Sequence, residues 1–184
     1  ICDISYPEEK PLSLWITQEQ KFAERKTQER QLIPQDSLIA IKTQVNENLV
    51  TFYNTYPTSM VGEDIVSRWA IYANTPLSTC VKDKLYPQLR AIIQKVDNKF
   101  MAASWLLYWV QTAFVYKYDD KVWGHDRAFF AEESLYYSYC DCEDRSILFS
   151  RLVRDLLGLD VILVFYPGHL ATAVAFTEKV NGDY

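Results

Sequence analysis

Residues 139–176 constrain the fold of this chain more than any other stretch. They read Y-C-D-C-E-D-R-S-I-L-F-S-R-L-V-R-D-L-L-G-L-D-V-I-L-V-F-Y-P-G-H-L-A-T-A-V-A-F. Asp141 is a good helix cap, because its short carboxylate can accept from the free N–H groups of a first turn. The spacing then predicts a helix from 142 to about 157, with Leu148, Leu152, Val153 and Leu156 facing inward. Gly158 suits the left-handed residue that stops a helix. Residues 161–166 are a continuous apolar run, which predicts a strand buried on both faces. Pro167-Gly168 turns the chain, and His169 opens a second strand running to about Thr177. Asn181-Gly182 signals another hairpin turn. A cysteine thus starts a helix, and a histidine starts the second strand after it. That order suits a cysteine nucleophile and its base.

The rest of the chain reads as support. With 184 residues it is sized for one domain, or one domain with an added arm. A hydrophobic share of 49% supplies a core and argues against general disorder. The net charge of −5 argues against non-specific nucleic-acid binding, which needs clustered positive charge. Five Gly and seven Pro favour helices over a turn-rich β fold. The most apolar stretch, residues 101–116, is interrupted by Ser104, Gln111 and Thr112, so it predicts a buried helix and no membrane span. The chain opens at Ile1 without a Met and shows no signal-peptide pattern, as expected of a processed form or an excised piece. Cys2, Cys80, Cys140 and Cys142 fit no small disulfide scaffold, and no C-x-x-C occurs.

Upstream, residues 1–16 predict an extended arm and residues 17–33 a polar surface helix ended by Pro34. Asp36 or Ser37 can cap a helix carrying Leu38, Ile41, Val45, Leu49 and Phe52, although Ile39 and the β-branched content keep a strand open there. Short and long helices follow over 63–73 and 78–95, the latter with a break or restart at Pro87. Residues 97–115 predict an apolar helix buried on several sides. Residues 117–138 read as a long connection, a length that in a compact domain often serves function.

The chemistry centres on Cys142. A helix N-terminus favours a thiolate through its free N–H groups and dipole. Asp141, Glu143 and Asp144 oppose it, because like charge raises a thiol pKa. A nearby imidazolium would offset them, and so would a hard cation such as calcium drawing the carboxylates away. The plain alternative is an acidic helix cap with an incidental buried cysteine. His169 is the candidate base, and His125 in W-G-H-D is its competitor, ranked as a loop residue shaping a cleft. A third group should orient the imidazole. Asp183 does not qualify: in a hairpin turning at Asn181-Gly182, the position facing His169 falls at about residue 194. The orienting acid is therefore expected beyond Tyr184. An oxyanion hole would combine the Cys142 N–H with a side-chain donor, for which Gln111 and Trp109 are candidates, with core packing the simpler role for both. Glu133 in F-F-A-E-E-S-L is placed to brace the entry to the cysteine helix.

C-E-D-R-S-I-L, then L-V-R-D-L-L-G-L, then P-G-H-L-A-T-A-V resembles the transglutaminase-like superfamily of papain-like folds. F-F-A-E-E-S-L is similar to the lead-in of bacterial transglutaminase-like cysteine proteinases, and V-Q-T-A-F-V-Y-K-Y-D-D resembles their upstream helix end. The likeness covers about residues 97–184 and says nothing of 1–60. It implies Cys142 as nucleophile, His169 as base and, by analogy with a periplasmic protease subgroup, calcium at Asp141 and Glu143. Cys140 stands where the family usually has Gly.

The expected fold is α+β, a papain- or transglutaminase-like core with a mostly helical N-terminal part and a small antiparallel sheet at the C-terminal end. Residues 1–60 form the arm and helices, and residues 61–184 the transglutaminase-like domain, cut before its last strands. The expected function is thiol-dependent acyl transfer or hydrolysis on a protein or peptide amide, as by a cysteine peptidase or amidase, with no cofactor required. The resemblance implies a bacterial periplasmic or extracytoplasmic setting. The alternative is a catalytically idle module of the same fold that binds a protein or glycan. The two separate on whether the Cys142 sulfur reaches a His169 ring nitrogen beside a concave surface.

Overall fold

Helix α7, Cys142–Leu157, is the centre about which the other elements pack. The structure is a computed structural model that describes residues 14–56 and 64–177. Residues 1–13 of the arm expected over 1–16, the turn at Asn181-Gly182 and Asp183 lie outside the described residues. In chain order the other elements are β1 (Arg30–Leu32), β2 (Ile41–Thr43), α1 (Glu47–Asn54), α2 (Ile65–Asn74), α3 (Thr79–Ile93), α4 (Lys99–Thr112), β3 (Val115–Tyr116), α5 (Asp119–Val122), α6 (Ala131–Tyr136), β4 (Tyr139–Cys140), β5 (Val161–Tyr166) and β6 (His169–Val174). The fold is α+β, with small two-stranded sheets set against helices. No helix among the described residues is long and apolar enough to cross a membrane.

Local chemistry explains why α7 begins and ends where it does. The Asp141 carboxylate accepts from the N–H groups of Glu143 and Asp144, and Asp144 reaches back to accept from the Asp141 N–H. This reciprocal cap satisfies donors that a helix start otherwise leaves free. Gly158 takes φ 62° and closes the other end in the left-handed region that glycine enters without steric cost. α7 buries Ile147, Leu148, Leu152 and Val153 completely. It packs against α4, α2, α6 and the β5–β6 hairpin.

The hairpin is antiparallel, with Tyr166 opposite His169 and Val161 opposite Val174. Pro167 and Gly168 fill its two-residue loop, Gly168 at φ 73°, as a type II turn requires at its second central position. The strand expected to be buried on both faces is not: Val161 is buried, but Ile162, Phe165 and Tyr166 are more than half exposed. An apolar run reports burial only if a second layer covers it, and α7 covers one face of this sheet. The second strand ends at Val174, short of the expected Thr177.

The N-terminal part differs more. Residues 17–33 form no helix; β1 pairs with β2 so that Leu32 meets Ile41 and Arg30 meets Thr43. With few apolar positions, a helix there would have had no face to bury. The strand pairing instead buries Leu32, Ile41 and Thr43. The helix expected from Asp36 or Ser37 starts later, at Glu47, capped by the Asn46 side chain. Ile41, Lys42 and Thr43 alternate buried, exposed, buried, a period of two. Pro87 does not break its helix. It sits inside α3, flanked by the fully buried Leu85 and Leu89. Packing on both sides outweighs the hydrogen bond that proline forgoes. The long connection over 117–138 contains α5 and α6, and α6 is nearly all buried. One continuous core runs from Ile16 through Leu32, Leu49, Leu85 and Leu106 to Leu152 and Leu170.

Candidate active site

Cys142 occupies the first turn of α7, half-buried, on the wall of a cavity of about 270 Å³. His169, Gln111, Tyr116, Arg145 and Phe149 line the same cavity, with residues 170–172 of β6 as one side. The sequence-predicted nucleophile and base are therefore brought to one concave surface from α7 and from the open edge of β6. No hydrogen bond joins the Cys142 sulfur to the His169 ring, and none holds that ring from an acid, among the described residues. His169 is exposed at the first position of its strand. Catalytic hydrogen bonds are commonly loose before substrate enters, so an open pair is compatible with either an active or an idle site.

The electrostatics of the thiol are mixed. Partial burial pushes Cys142 upward, and the charges of Asp141 and Glu143 add to that. The Leu170 N–H and the Tyr116 hydroxyl face the sulfur and act the other way. Leu170 is anchored to α7 a second time, since the Ser146 hydroxyl donates to its carbonyl at 2.9 Å. Cys140, two residues earlier, is a different kind of thiol. It is 3% exposed and lies against the Arg145 guanidinium. Burial pushes it up to about 11.

Three carboxylates crowd the head of α7. Single oxygens of Asp119, Asp141 and Glu143 lie within 4.8 Å of one another. Burial pushes Asp119 up to about 6 and Glu143 up to about 8, and it raises Asp141 as well. Glu143 Oε2 accepts from Trp69 Nε1 at 2.8 Å, while its buried Oε1 has no hydrogen-bond partner. Asp119 Oδ2 accepts from the Arg127 N–H at 2.6 Å. Oxygen ligands with unspent lone pairs are the set a hard cation takes. Asp144, though adjacent in sequence, faces inward: its two oxygens accept from the N–H groups of Phe129 and Asp141, and burial raises it strongly.

The remaining predicted residues divide clearly. Gln111 lines the cavity near the end of α4. Trp109 does not: it is fully buried, edge-on to Phe114 at 5.4 Å, and its Nε1 has no partner. Its place two residues before Gln111 on a helix sends it to the other side. Glu133 caps α6 and not the cysteine helix: its carboxylate accepts from the Phe130 N–H and pairs with Arg127. His125 lies away from the thiol, lining a separate hollow with Arg68, Tyr72 and Arg127. Sequence reasoning missed Asp119 and Tyr116. The Asp119-Asp120 pair inside an otherwise aromatic loop was the available signal for the first; nothing local marked the second. No protein-family model matches the chain, and no curated protein or solved structure matches it.

Proposed function

We propose that this chain is a thiol-dependent acyl-transfer enzyme of the transglutaminase-like kind that hydrolyses an amide in a protein or peptide. Cys142 is the nucleophile and His169 its base. The observation that carries this reading is the single cavity lined by both residues, one on a helix N-terminus and one on the strand edge beside it. His169 takes the thiol proton, and the thiolate attacks the substrate carbonyl. The amine leaves with that proton, and water releases the acyl group. An amine in place of water would give cross-linking; hydrolysis is the reading favoured by the likeness to bacterial proteases.

Calcium belongs to this proposal as a support for the thiolate. Asp119, Asp141 and Glu143 would hold it, and the orphaned Glu143 oxygen is what favours a cation over a plain acidic cap. A bound cation would neutralise the charges that now push the thiol up.

The test is acyl-enzyme trapping. Incubation with p-nitrophenyl acetate is expected to acetylate Cys142, read by peptide mass spectrometry, and denatured casein is expected to be cleaved. Cys142→Ala should lower cleavage by at least about a thousandfold. A second reading, an idle module that binds a partner, draws on the missing sulfur–imidazole hydrogen bond and the upward push on the thiol. Failure of Cys142 to acylate, with or without calcium, would favour it.

A further inference from the structure

Tyr116 is the residue near the thiol that nothing so far accounts for. It closes β3, which runs parallel to β4 with Tyr116 opposite Cys140. That register sets it beside the chain two residues before the nucleophile, and it lines the same cavity as Cys142 and His169. Its ring is clamped. The Arg145 guanidinium lies 4.9 Å over its centroid, and Tyr118 meets it edge-on at 5.3 Å. Arg145 is itself fixed, donating to the Phe114 carbonyl at 2.8 Å. The hydroxyl thus faces the Cys142 sulfur from a held position. At Cys142 itself the cap of α7 is incomplete. Asp141 accepts from the N–H groups of Glu143 and Asp144, but the Cys142 N–H makes no hydrogen bond among the described residues.

We propose that the Tyr116 hydroxyl and the Cys142 N–H together form the oxyanion hole, with Tyr116 as a catalytic residue. This deepens the acyl-transfer reading and rests on it. When the thiolate attacks, the new S–C bond forms and the carbonyl π pair moves onto oxygen. The Tyr116 O–H and the Cys142 N–H donate to that oxygen. The pair returns as the amine departs with the proton from His169. A donor built into the fold needs no reorganisation at the moment charge develops, which is why such groups are worth much in a partly buried site. A raised Tyr116 keeps its proton through the working pH range, so it remains a donor. Gln111, which lines the same cavity and whose side chain makes no hydrogen bond among the described residues, is the competing donor.

The experiment compares two reactions of the same sulfur. Alkylation by iodoacetamide displaces iodide and creates no oxyanion; acylation by p-nitrophenyl acetate passes through one. Both rates are measured on the full chain and expressed per thiolate, the thiolate fraction taken from the pH profile of alkylation. Tyr116→Phe is expected to lower acylation by about a hundredfold while alkylation stays within about threefold. Gln111→Ala should leave the ratio of the two rates unchanged. An unchanged ratio in Tyr116→Phe, or a comparable fall in Gln111→Ala, would overturn the proposal with the nucleophile reading intact. Alkylation of the wild-type sulfur without acylation would instead overturn the acyl-transfer reading, and this proposal with it.

Discussion

Buried carboxylates gather at two places among the described residues, and their partners differ. At α6, Glu132 accepts from the Ser78 N–H at 2.8 Å and the Ser78 hydroxyl at 2.7 Å. Glu133 beside it accepts from the Phe130 N–H at 3.0 Å and from Arg127 at 3.1 Å. Every oxygen of that pair has a donor. At the head of α7, three carboxylates converge and a buried Glu143 oxygen has none. Both sets are pushed upward by burial, Glu132 and Glu133 to about 7 and Glu143 to about 8. The upward push is therefore no guide to function here. The partners are: a buried acid with all its oxygens satisfied holds two elements together, whereas one left short beside a thiol marks a place where something else binds or reacts.

Breaking the satisfied set should cost the most stability. Glu132→Ala strips the acceptor from both the N–H and the hydroxyl of Ser78, the cap of α3. We expect a loss of about 2–4 kcal/mol in urea unfolding, with Cys142 alkylation in the folded protein unchanged. A loss below about 1 kcal/mol would put the two sets on an equal footing.

The pH dependence sharpens the contrast. Glu143 is raised in the folded state from an ordinary value of 4.5 to about 8. The folded chain therefore holds that proton more tightly than the unfolded chain between those values. Its contribution to stability is complete below pH 4.5 and is lost as pH rises to 8. Glu132 and Glu133 act in the same direction but are spent by about pH 7. Glu143→Gln should remove the decline in melting temperature between pH 7 and 8 and make the decline between pH 4.5 and 7 shallower without abolishing it, because Glu132 and Glu133 still act there. An identical profile in the variant would separate Glu143 from that limb.

The smallest effect concerns calcium. At millimolar calcium and pH 7.5 we expect a rise of a few degrees in melting temperature that Glu143→Gln abolishes and Glu132→Gln retains. No shift in the wild type would remove the cation from the account.

How much of this was legible in the sequence follows from how local each signal was. The limits of α7, the Asp141 cap, Gly158 and the Pro-Gly turn are written within a few residues of where they act, and each was read correctly. The strand pairing of residues 30–32 with 41–43 was not, because three residues of alternation cannot outvote helical spacing in a longer window. Asp119 meets Asp141 only because the start of α5 comes close to the head of α7, and Tyr116 meets Cys142 only through the β3–β4 register. Trp109 shared with Gln111 the sequence reasons for a cleft position, yet helical phase sent one to the core and the other to the cavity.

The central claim is that Cys142 and His169 act as a pair, and iodoacetamide labelling of the native protein across pH tests it most directly. Cys142→Ala and His169→Ala serve as controls, and each series is run with and without calcium. The account predicts that Cys142 reacts well below the ordinary thiol pKa of about 8.5 when calcium is present, that this low-pH limb vanishes in Cys142→Ala, and that it weakens in His169→Ala. A Cys142 that titrates at or above that value whatever the calcium level, with no response to His169→Ala, would contradict it.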